Sequence, residues 1–458
     1  MNTRVETDSM GEVTISEEAW WGAQTQRALD NFQISPYRIP AQYLSALALV
    51  KRASAKVNEK LGLLSVENAE LIRGAAQVIE KGGYLDQFPL DVFQTGSGTS
   101  WNMNINEVIA NLANFKAGVG RGSKVPVHPN DHVNRGQSSN DVIPTAMNIS
   151  VRIAAEKLQS ALSVLSEGIT LKAEEFKTIP KLGRTHLQDA VPMTLGQEFS
   201  GWAAQMKKSG ERLGRCFSSL EELAIGGTAL GTGINTPPDF GIRVAAFIAE
   251  ETGIPFRQAE NLFEAIAARD SMLELMGAVN STSVSLMKIA QDLRILSSGP
   301  RSGLGEIQLP SLQPGSSIMP GKINPVIPEM VIQAAAHVSG KYTSVTIACQ
   351  NSPLELNIMQ PLLIHETLGA LELLTETCGS FLDKCISGIT ADRQRCMEAI
   401  EWSLAVVTPL AVKIGYDKAA KIAYRAFEEK RKVRDIASEE KVLPEDELDA
   451  VFEIGSML

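Results

Sequence analysis

The chain has 458 residues, 44% of them hydrophobic and 21% charged, so it is long enough to bury a large core in two or three domains. Its formal net charge of −10 argues against nucleic acid and anionic membranes as main partners, although a local positive site for a small anion remains open. The five cysteines are scattered without a C-x-x-C pair, which favours reduced thiols in a cytosol-like compartment over a disulfide framework or a zinc site.

The N-terminal segment MNTRVETDSMGEV is polar and acidic, unlike a secretory signal or a basic transit peptide. No apolar run approaches the length that a membrane-spanning helix needs. We therefore expect a cytoplasmic protein. The alternation of apolar and polar residues that is typical of strands is scarce, apart from short candidate strands near this N-terminus.

Long proline-free segments predict a nearly all-α fold. Proline is absent from 41–88, 145–179, 193–236, 256–299 and 362–408, and apolar residues recur there at steps of three and four. Long helices bury their apolar faces best against each other, so a central bundle is expected. Its predicted helices cover 143–178, 196–223, 257–296, 327–345 and 353–385. Several of them carry apolar residues on more than one face, which indicates burial either inside a large monomer or against other subunits, and of these two we expect an oligomer.

Four polar islands interrupt the predicted helices. The first island, QTGSGTSWNMN (94–104), places Ser97 between two glycines and follows it with Thr99. Such a run presents backbone N–H groups and hydroxyls in a concave turn that suits an anionic oxygen. The alternative is an ordinary turn that caps the following helix.

The second island, VHPNDHVNRGQSSND (127–141), contains His128 and His132 at a spacing that could bind zinc on a helix. Pro129 lies between them and no third ligand is suitably spaced, so no metal is expected. Asp141 is also a good helix start, which makes part of this island a capping segment.

The third island, GRTHLQDAVPMTLGQEF (183–199), carries His186 between a predicted glycine-arginine turn and a predicted bundle helix. A structural role and a functional role are equally compatible with one isolated histidine.

The fourth island, GSSIMPGKINPVIPE (315–329), is not a P-loop, because the spacing between its glycines is wrong and Ile323 replaces the magnesium-binding Ser or Thr. The glycines from 303 to 321 predict a mobile loop, and the alternative is an irregular connector. Lys322 is costly to place among prolines unless it meets an anion.

The islands share hydroxyls, amides and backbone donors, together with Lys322 and Arg184, and could hold a small di- or tricarboxylate. A serine surrounded by N–H donors and a lysine could act as a base, and a His–Glu pair could act as a second acid–base group. Without a cofactor motif, these residues favour proton abstraction next to a carboxylate by side chains and backbone alone.

The fourth island resembles the signature loop G-S-S-x-M-P-x-K-x-N-P of the fumarase/aspartase superfamily. TGSGTSWNMNINEVIAN, HPNDHVNRGQSSND and GRTHLQDAVPMTLGQEF accompany it in the order typical of that superfamily. The resemblance extends from WGAQTQR (21–27) to GYDKAAKIA (415–423) and so covers nearly the whole chain.

The resemblance implies a mostly α-helical subunit of three domains, over 1–137, 138–361 and 362–458. It also implies a homotetramer with a core of twenty helices and active sites that are each assembled from three subunits. The implied substrate is a small dicarboxylate such as fumarate or malate, handled without a cofactor.

The same resemblance implies roles for individual residues. Ser316 is the base that removes the C3 proton, and His186, paired with Glu329, acts at the leaving hydroxyl or water. The implied substrate-binding residues are Ser97, Gly98, Thr99, Ser138, Ser139, Asn140, Thr185, Ser317, Lys322 and Asn324. A second, non-catalytic dicarboxylate site is implied at His128, Pro129, Asn130 and Asp131.

Within the superfamily, WGAQTQR, DQFPLDVFQTGSGTS and VHPNDH resemble class II fumarases, with the aspartate ammonia-lyases as the alternative suggested by NPVIPE. A non-catalytic binding or structural homologue is a further alternative. Trp101 is bulkier than the usual residue, and SGKYTS (339–344) departs from the common pattern. These departures concern the shape of the pocket and one subunit contact.

Overall fold

Residues 2–457 are described by a computed structural model of the chain. Helices dominate it, which confirms the predicted fold class. The α-helices, in chain order, are α1 (Ala23–Asn31), α2 (Ala41–Lys60), α3 (Val66–Glu80), α4 (Thr99–Lys116), α5 (Ser139–Glu175), α6 (Leu195–Arg215), α7 (Phe217–Leu220), α8 (Phe240–Thr252), α9 (Leu262–Ala267), α10 (Asp270–Leu296), α11 (Val326–Gln350), α12 (Gln360–Lys384), α13 (Arg393–Trp402), α14 (Val407–Ile414), α15 (Tyr416–Glu429), α16 (Val433–Glu439) and α17 (Glu445–Phe452).

Within residues 2–457, the strands form four two-stranded sheets. They are β1 (Thr3–Asp8), β2 (Gly11–Ser16), β3 (Pro180–Thr185), β4 (Gln188–Thr194), β5 (Glu222–Leu223), β6 (Arg257–Gln258), β7 (Ile307–Gln308) and β8 (Thr390–Ala391). The β1–β2, β3–β4 and β7–β8 pairs are antiparallel, whereas β5 and β6 run parallel. The β1–β2 hairpin confirms the expected strands near the N-terminus.

Three local predictions were wrong. The segment 183–193 continues a hairpin that begins at Pro180, whereas we predicted a turn leading into a helix. The predicted helix over 257–296 is divided into β6, α9 and α10. Asn261 starts α9 by accepting hydrogen bonds from the backbone N–H groups of Phe263 and Glu264, and Ala268, whose backbone is extended, ends it. The last bundle helix begins at Gln360 and not at 353, with Pro361 in its first turn, where proline is tolerated.

The chain forms two compact units built from separate segments. The first comprises the described residues of 1–159 together with 211–281 and 337–373. The second comprises 160–210, 282–336 and the described residues of 374–458. The division into three consecutive domains stays a prediction.

In the first unit, α2 packs against α3, α4 and α8. The contact face of α2 is lined by Tyr43, Leu44 and Leu47, all of which are fully buried. In the second unit, β3 contacts α13, and a separate apolar core joins α13 to α17 around Leu410, Ile422 and Leu448. Both units therefore have a hydrophobic core of their own.

Candidate active site

The first island leads into α4 through two glycines. Gly98 has φ +73°, a left-handed conformation that strains other residues, and stands immediately before Thr99, the first residue of α4. The Ser97 and Thr99 hydroxyl oxygens lie 2.9 Å apart in a hydrogen bond. The turn therefore presents both hydroxyls at the positive end of a helix dipole.

Gly96 fixes this turn against the loop before α12. Its carbonyl accepts a hydrogen bond of 2.9 Å from the Gln360 backbone N–H. A Cβ atom at Gly96 would lie 1.8 Å from the carbonyl oxygen of Ile358, so only glycine allows this approach.

The second island ends in a reciprocal helix cap. The Ser138 hydroxyl accepts from the Asn140 backbone N–H (3.2 Å), and the Asp141 carboxylate accepts from the Ser138 backbone N–H (2.9 Å). The Asn140 side chain donates to the Ala229 carbonyl at 2.7 Å. The sequence predicted a helix start here; α5 begins at Ser139, two residues before Asp141.

A side-chain hydrogen bond brings the first two islands together. Asn102 Nδ2, in α4, donates to Ser139 Oγ, in α5, at 3.1 Å. Both side chains are buried in the first unit. This hydrogen bond therefore connects the two helix starts that carry the candidate residues Ser97, Gly98, Thr99, Ser138, Ser139 and Asn140.

The third island forms the β3–β4 hairpin in the second unit. His186 and Leu187 both have positive φ (56° and 61°), as a two-residue hairpin turn requires. Thr185 and His186 are exposed at its tip. The turn therefore projects these two predicted site residues from a paired and rigid base.

Buried ion pairs anchor that hairpin. Lys181 Nζ in β3 lies 3.1 Å from Glu306, and Arg184 lies 2.7 Å from the other oxygen of the same carboxylate. The Lys181 and Glu306 side chains are only 2% and 1% exposed, and Lys181 also meets Glu198 of α6 at 2.5 Å. Because removing one partner would leave buried charge uncompensated, these pairs hold the hairpin in one position.

The fourth island is closed at its base. The Gly315 N–H donates to the Lys322 carbonyl at 2.7 Å, and Asn324 Nδ2 donates to the Gly315 carbonyl at 2.6 Å. Between these points, Ser316 Oγ accepts from the backbone N–H groups of Ile318 (3.3 Å) and Met319 (3.1 Å). Two N–H donors on a hydroxyl oxygen favour its alkoxide form.

Other candidate residues of this island are accessible. Ser317 and Lys322 are exposed, and Glu329 is partly exposed in the first turn of α11. Within residues 2–457 of a single chain, no hydrogen bond or ion pair joins His186 to Glu329. The predicted His–Glu pair is therefore not formed inside one subunit.

The histidines of the second island bind backbone groups. His128 Nδ1 accepts from the N–H groups of Asn130 and Asp131, both at 3.2 Å, at the start of a short π-helix, Pro129–Val133. His132 Nδ1 accepts from the His128 N–H at 2.8 Å, and burial lowers the pKa of His132. In the described part of the chain, no group of three or more His, Cys, Asp or Glu residues could hold a metal ion.

A cavity of about 250 Å³ lies beside this π-helix, and His128, Pro129 and Asn130 line it. Lys124 lines it as well, whereas Asp131 does not. Glu6 and Asp8 also line the cavity. Their charges are balanced by ion pairs with arginines, at 2.7 Å from Arg4 to Glu6 and 2.8 Å from Arg27 to Asp8.

The two departures from the common sequence pattern, at Trp101 and at 339–344, have side-chain contacts in the structure. Trp101 is 1% exposed and packs against Tyr43 in the core of the first unit, with ring centroids 5.6 Å apart. Lys341, in the unusual 339–344 segment, forms an ion pair of 2.7 Å with Glu366.

Sequence reasoning missed Lys51, which is buried beneath the second island and donates to Asn134 and Gln137. The spacing of residues in the sequence could have predicted that Lys51 is buried. Lys51 falls at helical spacing between Leu47 and Ser54, on a face of α2 that is otherwise buried.

The chain matches the family model described as Lyase over residues 11–340 and the Fumarase C C-terminus model over 406–458. A class II fumarate hydratase of Methylorubrum extorquens is 47% identical over 100% of this chain and 97% of its own length. The enzyme of that name from Mycobacterium tuberculosis is 50% identical over 94% of this chain and 90% of its own length. The chain belongs to the class II fumarase family.

The fold agrees with this family membership. The crystal structure of a class II fumarase from Schistosoma mansoni superposes with a TM-score of 0.97 at 38% identity, covering 100% of this chain and 99% of that one. The agreement confirms the resemblance inferred from the polar islands and favours the fumarases over the aspartases. Among residues 2–457, none of the helices combines the length and the hydrophobicity that spanning a bilayer requires.

Replacing Gly96 tests how tightly the first island is held. Gly96→Ala should lower the free energy of unfolding by about 1–3 kcal/mol, because the new Cβ collides with backbone that cannot move away cheaply. Urea unfolding followed by circular dichroism measures the loss. Gly120→Ala is the matched control, since a Cβ there meets nothing within 4 Å. Equal stability of the two variants would contradict the role of Gly96.

Proposed function

We propose that this chain is a hydro-lyase that converts fumarate and water reversibly into (S)-malate, without a cofactor, through an aci-carboxylate intermediate. The observation that carries the proposal is the Ser316 hydroxyl, whose oxygen accepts two backbone N–H hydrogen bonds inside a glycine-bounded loop. That environment lowers the free energy of an alkoxide, which is the form able to remove a proton from carbon.

In the dehydration direction, the Ser316 alkoxide takes the C3 proton of malate and becomes a hydroxyl. The electron pair left on C3 delocalises into the adjacent carboxylate and forms an aci-carboxylate dianion. Lys322, exposed on the same loop, and Asn324, at its base, stabilise that added charge. Ser317 contributes a further hydroxyl donor.

Protonated His186 then donates a proton to the departing C2 hydroxyl, which leaves as water, and fumarate remains. Glu329 orients this imidazole. Thr185, next to His186, donates to the substrate. The substrate carboxylates are held by the side chains of Ser97, Thr99, Ser138, Ser139 and Asn140 and by the backbone of Gly98. Hydration follows the same steps in reverse.

Loss of fumarate absorbance tests the activity. The purified protein should consume fumarate in ammonium-free buffer and form malate, identified by chromatography. The second candidate, aspartate ammonia-lyase, rests on the NPVIPE segment and predicts aspartate that forms only when ammonium is added. Absence of turnover in both buffers would refute both enzymes and leave a binding or structural role.

We further propose that the chain acts as a homotetramer whose active sites each draw residues from three subunits, with the long helices forming a shared core of twenty. The absence of a His186–Glu329 contact within residues 2–457 of one chain supports this arrangement, because the pair can then form between subunits. The cytoplasm is its proposed location, supported by five cysteines present as free thiols, four of them buried.

Complementation between inactive variants tests the shared sites. Ser316→Ala and His186→Asn should each lower kcat by about a hundredfold or more, because each removes one acid–base group. If Ser316 and His186 of one site come from different subunits, unfolding and refolding the two variants together should restore part of the activity.

The control is Ser311→Ala, an exposed serine before the same loop, which should leave kcat unchanged. A refolded mixture no more active than the separate variants would contradict shared active sites. Near-normal kcat in Ser316→Ala would contradict the serine base.

We also propose that the cavity beside His128, Pro129, Asn130 and Asp131 binds a second dicarboxylate that does not react. Lys124 supplies the positive charge, and the His128 Nε2–H and the Asn130 amide supply neutral hydrogen-bond donors. His128→Ala should abolish a second, weaker succinate-binding event in calorimetry. It should also leave kcat within about twofold, because His128 takes no part in proton transfer. One succinate per chain in the unaltered protein would contradict this site.

A further inference from the structure

Lys51 is a buried ammonium without an acidic partner at contact distance. It lies in the middle of α2 and is 0% exposed. Its Nζ donates to Asn134 Oδ1 and to Gln137 Oε1, each at 3.0 Å. Within residues 2–457, no carboxylate lies within ion-pair distance of Lys51. The positive charge is therefore held by two neutral amides.

Such a charge is expensive to keep in a core. Burial lowers the pKa of Lys51 to about 7, and the negative charge of Asp141 opposes that shift. Asp141 is itself buried and accepts from the backbone N–H groups of Gly226 (3.1 Å) and Thr228 (2.9 Å), so its oxygens are already engaged. Apolar side chains in place of Lys51, Asn134 and Gln137 together would fill the same space without burying a charge. The ammonium is therefore better explained by a role other than packing.

The contacts of Lys51 lead directly to the proposed substrate site. Asn134 Oδ1 accepts from Lys51 and also from Asn102 Nδ2 and Asn106 Nδ2, both at 3.2 Å. Asn102 Nδ2 in turn donates to Ser139 Oγ at 3.1 Å. The ammonium thus lies at the centre of a network whose outer end is a proposed substrate-binding hydroxyl.

The network also determines the shape of the turn before α5. Asn134 Nδ2 donates to the Gln137 carbonyl at 3.1 Å, and Gln137 Nε2 donates to the Val133 carbonyl at 3.0 Å. Because Lys51 donates to both amide oxygens, it constrains the orientation of the two side chains that shape this turn.

We propose that Lys51 is a positioning residue for dicarboxylate binding. Its ammonium holds Asn134 and Gln137, and through them the turn that presents Ser139 to a substrate carboxylate. This inference rests on the proposed function and extends it to a residue outside the polar islands. A binding turn held in place before the substrate arrives loses no affinity to reordering.

Kinetics of Lys51→Met and Lys56→Met test the proposal. Lys56 is on the same helix, is partly exposed and pairs with Glu59 at 2.9 Å, so it receives the same substitution without touching the network. Lys51→Met should raise the KM for fumarate about tenfold or more while kcat changes less than about threefold, because the turn holds ground state and transition state alike. Lys56→Met should change neither, and thermal melting monitors folding of both.

Lys51→Arg, which retains charge and donors, should recover part of the lost affinity. A KM within twofold of the unaltered protein in Lys51→Met would overturn the proposal, and so would equal KM values in the Met and Arg variants. If Lys51→Met does not fold, Asn134→Ala tests the proposal in its place. Asn134→Ala should raise the KM for fumarate in the same way, and an unchanged KM would overturn the role of the network. Lack of fumarate turnover in the unaltered protein would instead refute the proposed function itself.

Discussion

The hydrogen bond from Asn102 to Ser139 is the contact on which the organisation of the first unit around the site depends. It joins the first turns of α4 and α5, two helices that begin in different polar islands. Because each helix start carries unpaired N–H groups and a partial positive charge, two adjacent starts are suited to an anion. Gly96 on one side and the Ser138–Asp141 cap on the other hold these starts in place.

In the second unit, buried ion pairs hold the candidate site residues in place. The exposed tip of the β3–β4 hairpin carries Thr185 and His186, and an exposed turn alone would be mobile. Glu306 binds two basic side chains of β3 below that tip and ties the hairpin to the rest of the unit. The Ser316 loop, in contrast, is joined at its base by the Gly315 contacts and makes its other hydrogen bonds within itself, and its outer residues are exposed.

The proposed chemistry follows from these supports. A reaction that builds charge on a carboxylate needs donors whose orientation is set before the charge appears. This chain holds its donors with glycine contacts, helix caps and the Lys51 network, so that binding does not have to order them.

The sequence by itself determined the fold class, the four polar islands and the family, because proline-free apolar periodicity and the GSSIMPGKINP loop are local patterns that depend on residue order alone. It did not determine that His186 lies in a hairpin turn, since pairing of 180–185 with 188–194 depends on anchors such as Glu306 that are distant in sequence. Only the tertiary structure decided which polar residues meet: that Asn102 reaches Ser139, that Trp101 turns into the core, and that Lys51 is buried beneath the second island. The physical reason is that burial of a polar side chain is tolerable only where partners from other segments converge, and that convergence is a property of the folded chain.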